Sequence, residues 1–305
     1  MIKKIKHTIR DILFFCISRI SPKAYSNILY QRTFKKKIDW DNPKDINEKI
    51  QWLKFNSNTT KWAEYSDKYL VRNHIEACGL KNILIPLLGK WKRAEDIDWE
   101  ALPNQFVMKT NHGSGDVLIC HDKSKINLTE WTHKFHRLLK SSFGYECAEP
   151  HYNKISSCII AEELLDNIVP EISSSIVDYK IWAFDGKPAY IFVCYNRTPQ
   201  SLELGLYDLD WNFHQEYLLS TPHYIIGDKP MPRPEALDAM LEVASILSKG
   251  FPELRCDLYT VGKKVYFGEM TFTPAAGLID YYTPEFLGIL GDLCILDNNK
   301  INILT

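Results

Sequence analysis

No Cys-x-x-Cys pair and no zinc-ligand spacing occurs among the eight cysteines, at 16, 78, 120, 147, 158, 194, 256 and 294, which argues against a zinc module. An excess of charge is missing too. A net charge of -1 gives no reason to expect nucleic acid as a partner. Internal repeats and low-complexity segments are absent. So is the P-loop pattern, because no Gly-Lys-Ser/Thr opens a helix, and no convincing Ser-His-Asp or Cys-His set stands out. The apolar run Ile12 to Ile17 is too short and too close to charge to span a bilayer, and no small-residue cleavage site follows it.

What is present is a chain of 305 residues, 45% hydrophobic, able to bury a sizeable core as one composite domain or two smaller ones. Charge is distributed unevenly along it: residues 1 to 40 hold ten Lys or Arg against two Asp. That basic head is expected to form a helix that packs on the body or lies on the inner, anionic membrane face through residues 1–20. Several cysteines sit in apolar strands and are expected to be reduced, buried thiols of a cytoplasmic protein. His133 and His136 read as a solvated helix face.

Periodicity predicts helices over 47–56, from Asp67 to Gly79, from about 129 to 142, and over "PEALDAMLEVASILSKG". Strands are expected at "ILIPLLG", "FVMKT", "VLIC" and "SCIIAEELL". A hairpin joins "VDYKIWAF" to "KPAYIFVCYN" across Asp185 and Gly186, and another joins "RCDLYTV" to "KVYFGEMTF" at Gly262 and Lys263. The pattern is α+β and dominated by hairpins, which argues against a doubly wound nucleotide fold. The aromatic stretch "YNRTPQSLELGLYDLDWNFHQEYLL" suits a hairpin core better than a sugar-stacking surface.

Four segments carry candidate chemistry. Lys109 precedes the turn "NHGSG", whose backbone N–H groups could face a phosphate. Asp257 and Glu269 lie on paired strands where alternation can aim both at one face, with Thr271 as a further oxygen; Mg²⁺ in phosphate sites is held by such carboxylates. "IIAEELL" ends a strand at Glu162 and Glu163, and a strand end of this kind can offer backbone polar groups to a flat ring. Asp178 and Lys180 share one side of a strand, Tyr179 and Ile181 the other.

Taken in order, "DKYLVR", "FVMKTNHGSG", "IIAEELL", "DYKIWAFDGKP" and "RCDLY…YFGEMTFTPAAG" resemble the signature segments of the ATP-grasp superfamily, from about Asn47 to Leu290. The nearest group is similar to the teichuronopeptide biosynthesis ATP-grasp proteins of surface-polysaccharide loci. The resemblance implies an α+β ATP-grasp fold, two subdomains clamping ATP; the sequence departs from it in that a short helical N-terminal extension (1–60) is expected where many members carry a full α/β domain ahead of the clamp. Residues 61–295 would form the clamp, with a lid at about 90–165 and a metal and acceptor subdomain at 166–295.

The resemblance further implies ATP and Mg²⁺ as cofactors. Lys68 and Lys109 would contact phosphates while His112, Gly113, Ser114 and Gly115 close over them. Glu162, Glu163 and Leu165 would form the adenine hinge, and Asp178 would hold the ribose. Lys180 would face the transferred phosphoryl group and Arg255 the acyl phosphate. Asp257 and Glu269 would be metal ligands, with Thr271 standing where the family usually has Asn. The implied activity is a carboxylate-amine ligase that uses a carboxylate-bearing glycan or small-molecule acceptor and an amine. A glycosyltransferase and a non-catalytic nucleotide-binding module remain open alternatives; for the former, the nearest Asp-x-Asp is the loop "DLD" at 208–210.

Overall fold

Two sheets organise the chain, one of four strands in the spatial order Leu87–Trp91, Ile159–Glu162, Phe106–Thr110, Val117–Cys120 and one of six in the order Lys264–Thr271, Leu254–Val261, Asp178–Phe184, Lys187–Tyr195, Leu202–Tyr207, Tyr224–Ile226. The computed structural model describes residues 12–113, 115, 117–141, 143–165, 169 and 171–297. Ser114 of the predicted phosphate loop and residues 1–11 of the basic head lie outside the described residues.

The smaller sheet contains β1 (Leu87–Trp91), β2 (Phe106–Thr110), β3 (Val117–Cys120) and β4 (Ile159–Glu162). Its core gathers Phe106, Met108, Leu118, Ile159 and Ala161 under Phe135 of the helix Leu128–Leu138. Alternation along β2 buries Phe106, Met108 and Thr110 and leaves Val107 and Lys109 on the other face.

The larger sheet contains β5 (Asp178–Phe184), β6 (Lys187–Tyr195), β7 (Leu202–Tyr207), β8 (Tyr224–Ile226), β9 (Leu254–Val261) and β10 (Lys264–Thr271). The β5–β6 turn has Asp185 at φ 46° and Gly186 at φ 82°, the two left-handed residues an Asp-Gly hairpin needs. One face of this sheet is apolar. Ile181, Cys256 and Leu258 join Leu237, Met240, Ala244 and Leu247 of the helix Leu237–Ser248 in the main core.

Ile46, Ile50 and Leu53 of the helix Ile46–Asn56 enter that same core, so this helix is built into the body. Asp45 caps it, accepting the Glu48 N–H at 2.9 Å. Residues 12–20 are helical; Ser18 is buried, and the Phe14 and Tyr25 rings lie 6.0 Å apart. Ile12, Leu13, Phe15 and Ile20 remain exposed. Among the described residues no helix is long and apolar enough to cross a membrane.

The structure corrects several boundaries. The helix expected from Asp67 begins at Val71, because the Asp67 carboxylate accepts the Tyr69 and Leu70 N–H groups at 2.8 and 3.1 Å and closes a local turn there. "ILIPLLG" becomes a strand only from Leu87, past Pro86. The helix expected to run to 142 ends at Leu138, and a short helix, Phe143–Glu146, follows. Leu202–Tyr207 forms a full strand that alternation did not reveal, since all but one of its residues are buried. The aromatic stretch is core, as expected: Tyr207 is fully buried and stacks on Trp211 at 4.2 Å. Cysteines 120, 158, 194, 256 and 294 are buried free thiols, while Cys16 is exposed and Cys78 and Cys147 are half-buried. Both His133 and His136 are exposed, and His136 pairs with Glu95 at 2.7 Å.

Candidate active site

Asp257 and Glu269 face each other because β10 carries a bulge. Val261 pairs with Lys264 across the turn, so unbroken pairing would set Asp257 opposite Gly268 and send Glu269 to the far face. The register shifts between Phe267 and Glu269, and Glu269 becomes the partner of Asp257. Gly268 permits this. A Cβ there would lie 2.7 Å from the Asp257 carbonyl oxygen. On the other side of β9, Lys180 of β5 is the cross-strand partner of Asp257, while on the β10 side Thr271 is the partner of Arg255.

The polar face of the larger sheet is therefore a chain of charges. Lys180 binds Asp178 at 2.6 Å and also Asp257. Arg255 grips Asp257 with two donors, Nε at 2.7 Å and Nη2 at 2.8 Å. Thr271 donates to Glu269 at 3.0 Å, and Arg255 lies 3.8 Å from Glu269. Against the cost of burial, Lys68, Lys180 and Arg255 hold the Glu269 carboxyl down at about 2. Burial pushes the Asp257 carboxyl up, opposed by Arg255 and Lys180. Lys180 is raised, the two aspartates outweighing its burial.

Lys68 ties this face to the smaller sheet. Its Nζ donates to the Gly113 carbonyl at 2.8 Å and stands 3.7 Å from Glu269, while its backbone N–H donates to Asn111. Burial lowers its pKa. Lys109 pairs with Glu162 at 2.7 Å, and Arg72 reaches the other Glu162 oxygen at 3.2 Å. The carboxylate of Glu162 is thus committed to protein partners. The Glu163 N–H is also engaged, donating to the Pro86 carbonyl at 3.1 Å.

The predicted residues fall into two connected groups. Lys68, Gly113, Asp178, Lys180, Arg255, Asp257, Glu269 and Thr271 form one, and Lys109 with Glu162 forms the other. His112 stands apart from both: it is buried, with its ring nitrogens 3.4 Å from Asn111 Oδ1 and 3.5 Å from Ser141 Oγ. Gly115 is exposed with φ 89°. The "DLD" segment is a turn closed on itself, Asp208 accepting the Asp210 and Asn212 N–H groups at 3.0 and 2.8 Å.

Sequence reasoning missed three contributors. Arg72 lies inside "DKYLVR" and was legible there as a cation. Asn111 anchors the loop, its side chain donating to the Ser156 carbonyl at 3.1 Å and accepting the Cys158 N–H at 2.7 Å. The third is a buried network under the "PAAG" turn that follows β10. Ala275, Ala276 and Gly277 have φ of 48°, 57° and 70°, three left-handed residues in a row, two of them carrying a Cβ. Gln51 holds the turn, donating to the Ala276 and Gly277 carbonyls at 3.0 and 2.9 Å, and Lys54 donates to Ala276 at 3.0 Å. Thr273 donates to the buried Glu149.

Burial pushes the Glu149 carboxyl up to about 7, partly offset by Lys54 and Thr273. A raised carboxyl contributes stability below its unfolded value near 4.5 and loses it as pH rises toward 7. Glu149→Gln should accordingly flatten the fall in melting temperature between pH 4.5 and 7, measured by calorimetric scans across that range.

The model of the TupA-like ATP-grasp family matches residues 48–295. A search of curated proteins finds no match. Solved structures with a similar trace include D-alanine–D-alanine ligase from Bacillus anthracis complexed with ATP, 15% identical, covering 78% of this chain and 67% of that one, TM-score 0.48. The D-cycloserine synthetase DcsG is 15% identical over 76% of this chain and 70% of its own, TM-score 0.42. The ATP-grasp ligase PsnB complexed with minimal precursor is 10% identical over 80% and 65%, TM-score 0.40.

Proposed function

The chain belongs to the TupA-like ATP-grasp family, and on that premise we propose that it is an ATP-dependent carboxylate-amine ligase acting through an acyl phosphate. Its acceptor would be a cell-surface polysaccharide or its precursor, for example a uronic acid amidated by an amino acid. The observation that carries this reading is the double engagement of Lys68, which bonds the glycine turn of one sheet and faces Glu269 of the other. A cation so placed suits a phosphate chain lying between the sheets.

In the proposed reaction an acceptor carboxylate oxygen attacks the γ-phosphorus of ATP and the bond to ADP breaks. The amine nitrogen then attacks the acyl carbon, phosphate leaves, and the nitrogen gives up a proton. Lys68 and Lys180 would stabilise charge on the moving phosphoryl group, and Lys109 would hold the neighbouring phosphates. Arg255, fixed by Asp257, would orient the acyl phosphate. Asp178 keeps one buried oxygen without a partner among the described residues, an acceptor suited to a ribose hydroxyl.

Among the described residues no group of three or more His, Cys, Asp or Glu side chains is arranged to hold a metal by itself, so a divalent cation at Glu269 would depend on phosphate oxygens for part of its shell. About a third of that side chain is open, at 37%, and Oε2 stands 3.7 Å from Lys68 Nζ. Asp257 could join it by releasing Lys180, and Thr271 would add a neutral oxygen. Bound there with phosphate oxygens, Mg²⁺ would neutralise phosphate charge.

Incubation with ATP, Mg²⁺ and pairs of uronates and amino acids tests the assignment. ADP release that needs both partners is expected. Release independent of the amine, or none with any carboxylate and amine pair, would count against a ligase.

A further inference from the structure

The helix over residues 12–20 turns two different faces to its surroundings. Phe14, Ile17 and Ser18 face the body: Ser18 is buried, and the Phe14 ring lies 6.0 Å from that of Tyr25. Residues advance about 100° each along a helix, so Phe15, Arg19, Ile12, Cys16, Ile20 and Leu13 follow one another around the opposite arc of about 160°. Ile12, Leu13, Phe15 and Ile20 are each more than half exposed, Ile20 most of all at 84%. Such residues scattered singly would need no explanation, but four of them on one arc form a patch.

The charge around this arc has one sign. Residues 12–37 contain Arg19, Lys23, Arg32, Lys35, Lys36 and Lys37 and no Asp or Glu, although the chain as a whole is net -1. Two of these cations lie against the helix itself. The Arg19 guanidinium sits 3.5 Å over the Phe15 ring and 4.7 Å over that of Tyr145, and the Arg32 guanidinium lies 5.4 Å from the Phe14 ring. Lys23, Arg32, Lys35 and Lys37 are exposed on the following helix, Pro22–Phe34, and at its C-terminal end. Carboxylates approach from neighbouring elements: Lys36 pairs with Asp45 and Glu48 at 3.0 and 3.3 Å, and Glu146 is exposed on the short helix Phe143–Glu146.

We propose that this arc is a docking surface for an anionic lipid bilayer, with Ile12, Leu13, Phe15 and Ile20 seated among the headgroups and upper acyl chains, and with Arg19 and the cations of the following helix meeting lipid phosphates. The two kinds of side chain match the two layers of a bilayer interface, apolar below and anionic above. A second copy of this chain is the poorer fit, because in a two-fold contact the patch meets itself and sets its cations against one another. A polyanion such as nucleic acid would meet the cations but leave the four apolar side chains in water. The rest of the chain is net acidic and would be repelled by the same lipids, so the protein would dock by this end alone. The surface contains no residue assigned to the clamp, and it holds or fails separately from the ligase reading.

Co-sedimentation of the full chain, without an added N-terminal tag, tests this with vesicles of phosphatidylcholine alone and of phosphatidylcholine and phosphatidylglycerol in equal parts. Binding to the anionic vesicles at least about tenfold tighter than to the neutral ones is expected, weakening as salt is raised. Phe15→Ser combined with Ile20→Ser should weaken that binding by at least about tenfold and leave the melting temperature unchanged, because both side chains are already exposed. Arg32→Glu with Lys37→Glu should weaken it too, and serves if the first variant fails to fold. No binding to anionic vesicles would overturn the proposal, as would equal binding to both kinds of vesicle or by wild type and both variants. So would a dimer in sedimentation velocity that Phe15→Ser with Ile20→Ser dissolves while vesicles stay unbound, since the surface would then join two copies.

Discussion

Asp257→Asn is expected to lower stability by about 3–5 kcal/mol, the usual effect of removing one member of a buried ion pair. Asp257 is 1% exposed and receives both Arg255 donors and Lys180. Without its charge, Arg255 keeps Glu269 at 3.8 Å and a bond to the Thr271 hydroxyl at 3.4 Å, and Lys180 keeps Asp178 at 2.6 Å. A carboxylate-to-amide change retains the shape, so the loss would report charge rather than a cavity. Urea denaturation of wild type and variant measures it. A change under about 1 kcal/mol would mean that the cluster relaxes or hydrates without Asp257.

Gln51→Ala should be nearly as damaging, at about 2–4 kcal/mol. Gln51 is fully buried, and its amide supplies donors to two carbonyls of a left-handed turn while its oxygen accepts from Ser26 and from Lys54 at 2.9 Å. Each buried polar group left without a partner costs about 1–3 kcal/mol. Left-handed residues with a Cβ add strain of about 1–3 kcal/mol each, which the network must hold in place. Because this turn follows the strand end that carries Glu269 and Thr271, separated from it by Phe272 and Thr273, the variant should also weaken Mg²⁺-ATP binding at temperatures where it remains folded. Stability within 0.5 kcal/mol of wild type would show that the turn holds itself.

Much of the site was legible because it depends on alternation. Asp178 and Lys180, two residues apart, share a face in the structure as the spacing predicts, and the Asp185-Gly186 turn fixes their hairpin. The pairing of Asp257 with Glu269 was anticipated, but the reason was not. Simple alternation would have separated them, and one glycine bulge brings them together. Buried strands and loop packing were the least legible. Leu202–Tyr207 lacks alternation, and the packing of residues 139–157 is set by long-range contacts such as Glu149 with Thr273, which no local pattern announces. The same holds for Gln51 and Lys54, whose helix was predicted but whose polar face has its partners 222 to 226 residues away.

The central claim is that Glu269 and its neighbours form a metal-dependent ATP site. Calorimetric titration of ATP into wild type and Glu269→Gln, with and without Mg²⁺, tests it most directly. The account predicts that Mg²⁺ strengthens ATP binding to the wild type and that the substitution removes most of that gain while the protein stays folded. ATP binding that is indifferent to both Mg²⁺ and the substitution would contradict it, as would no binding to either protein.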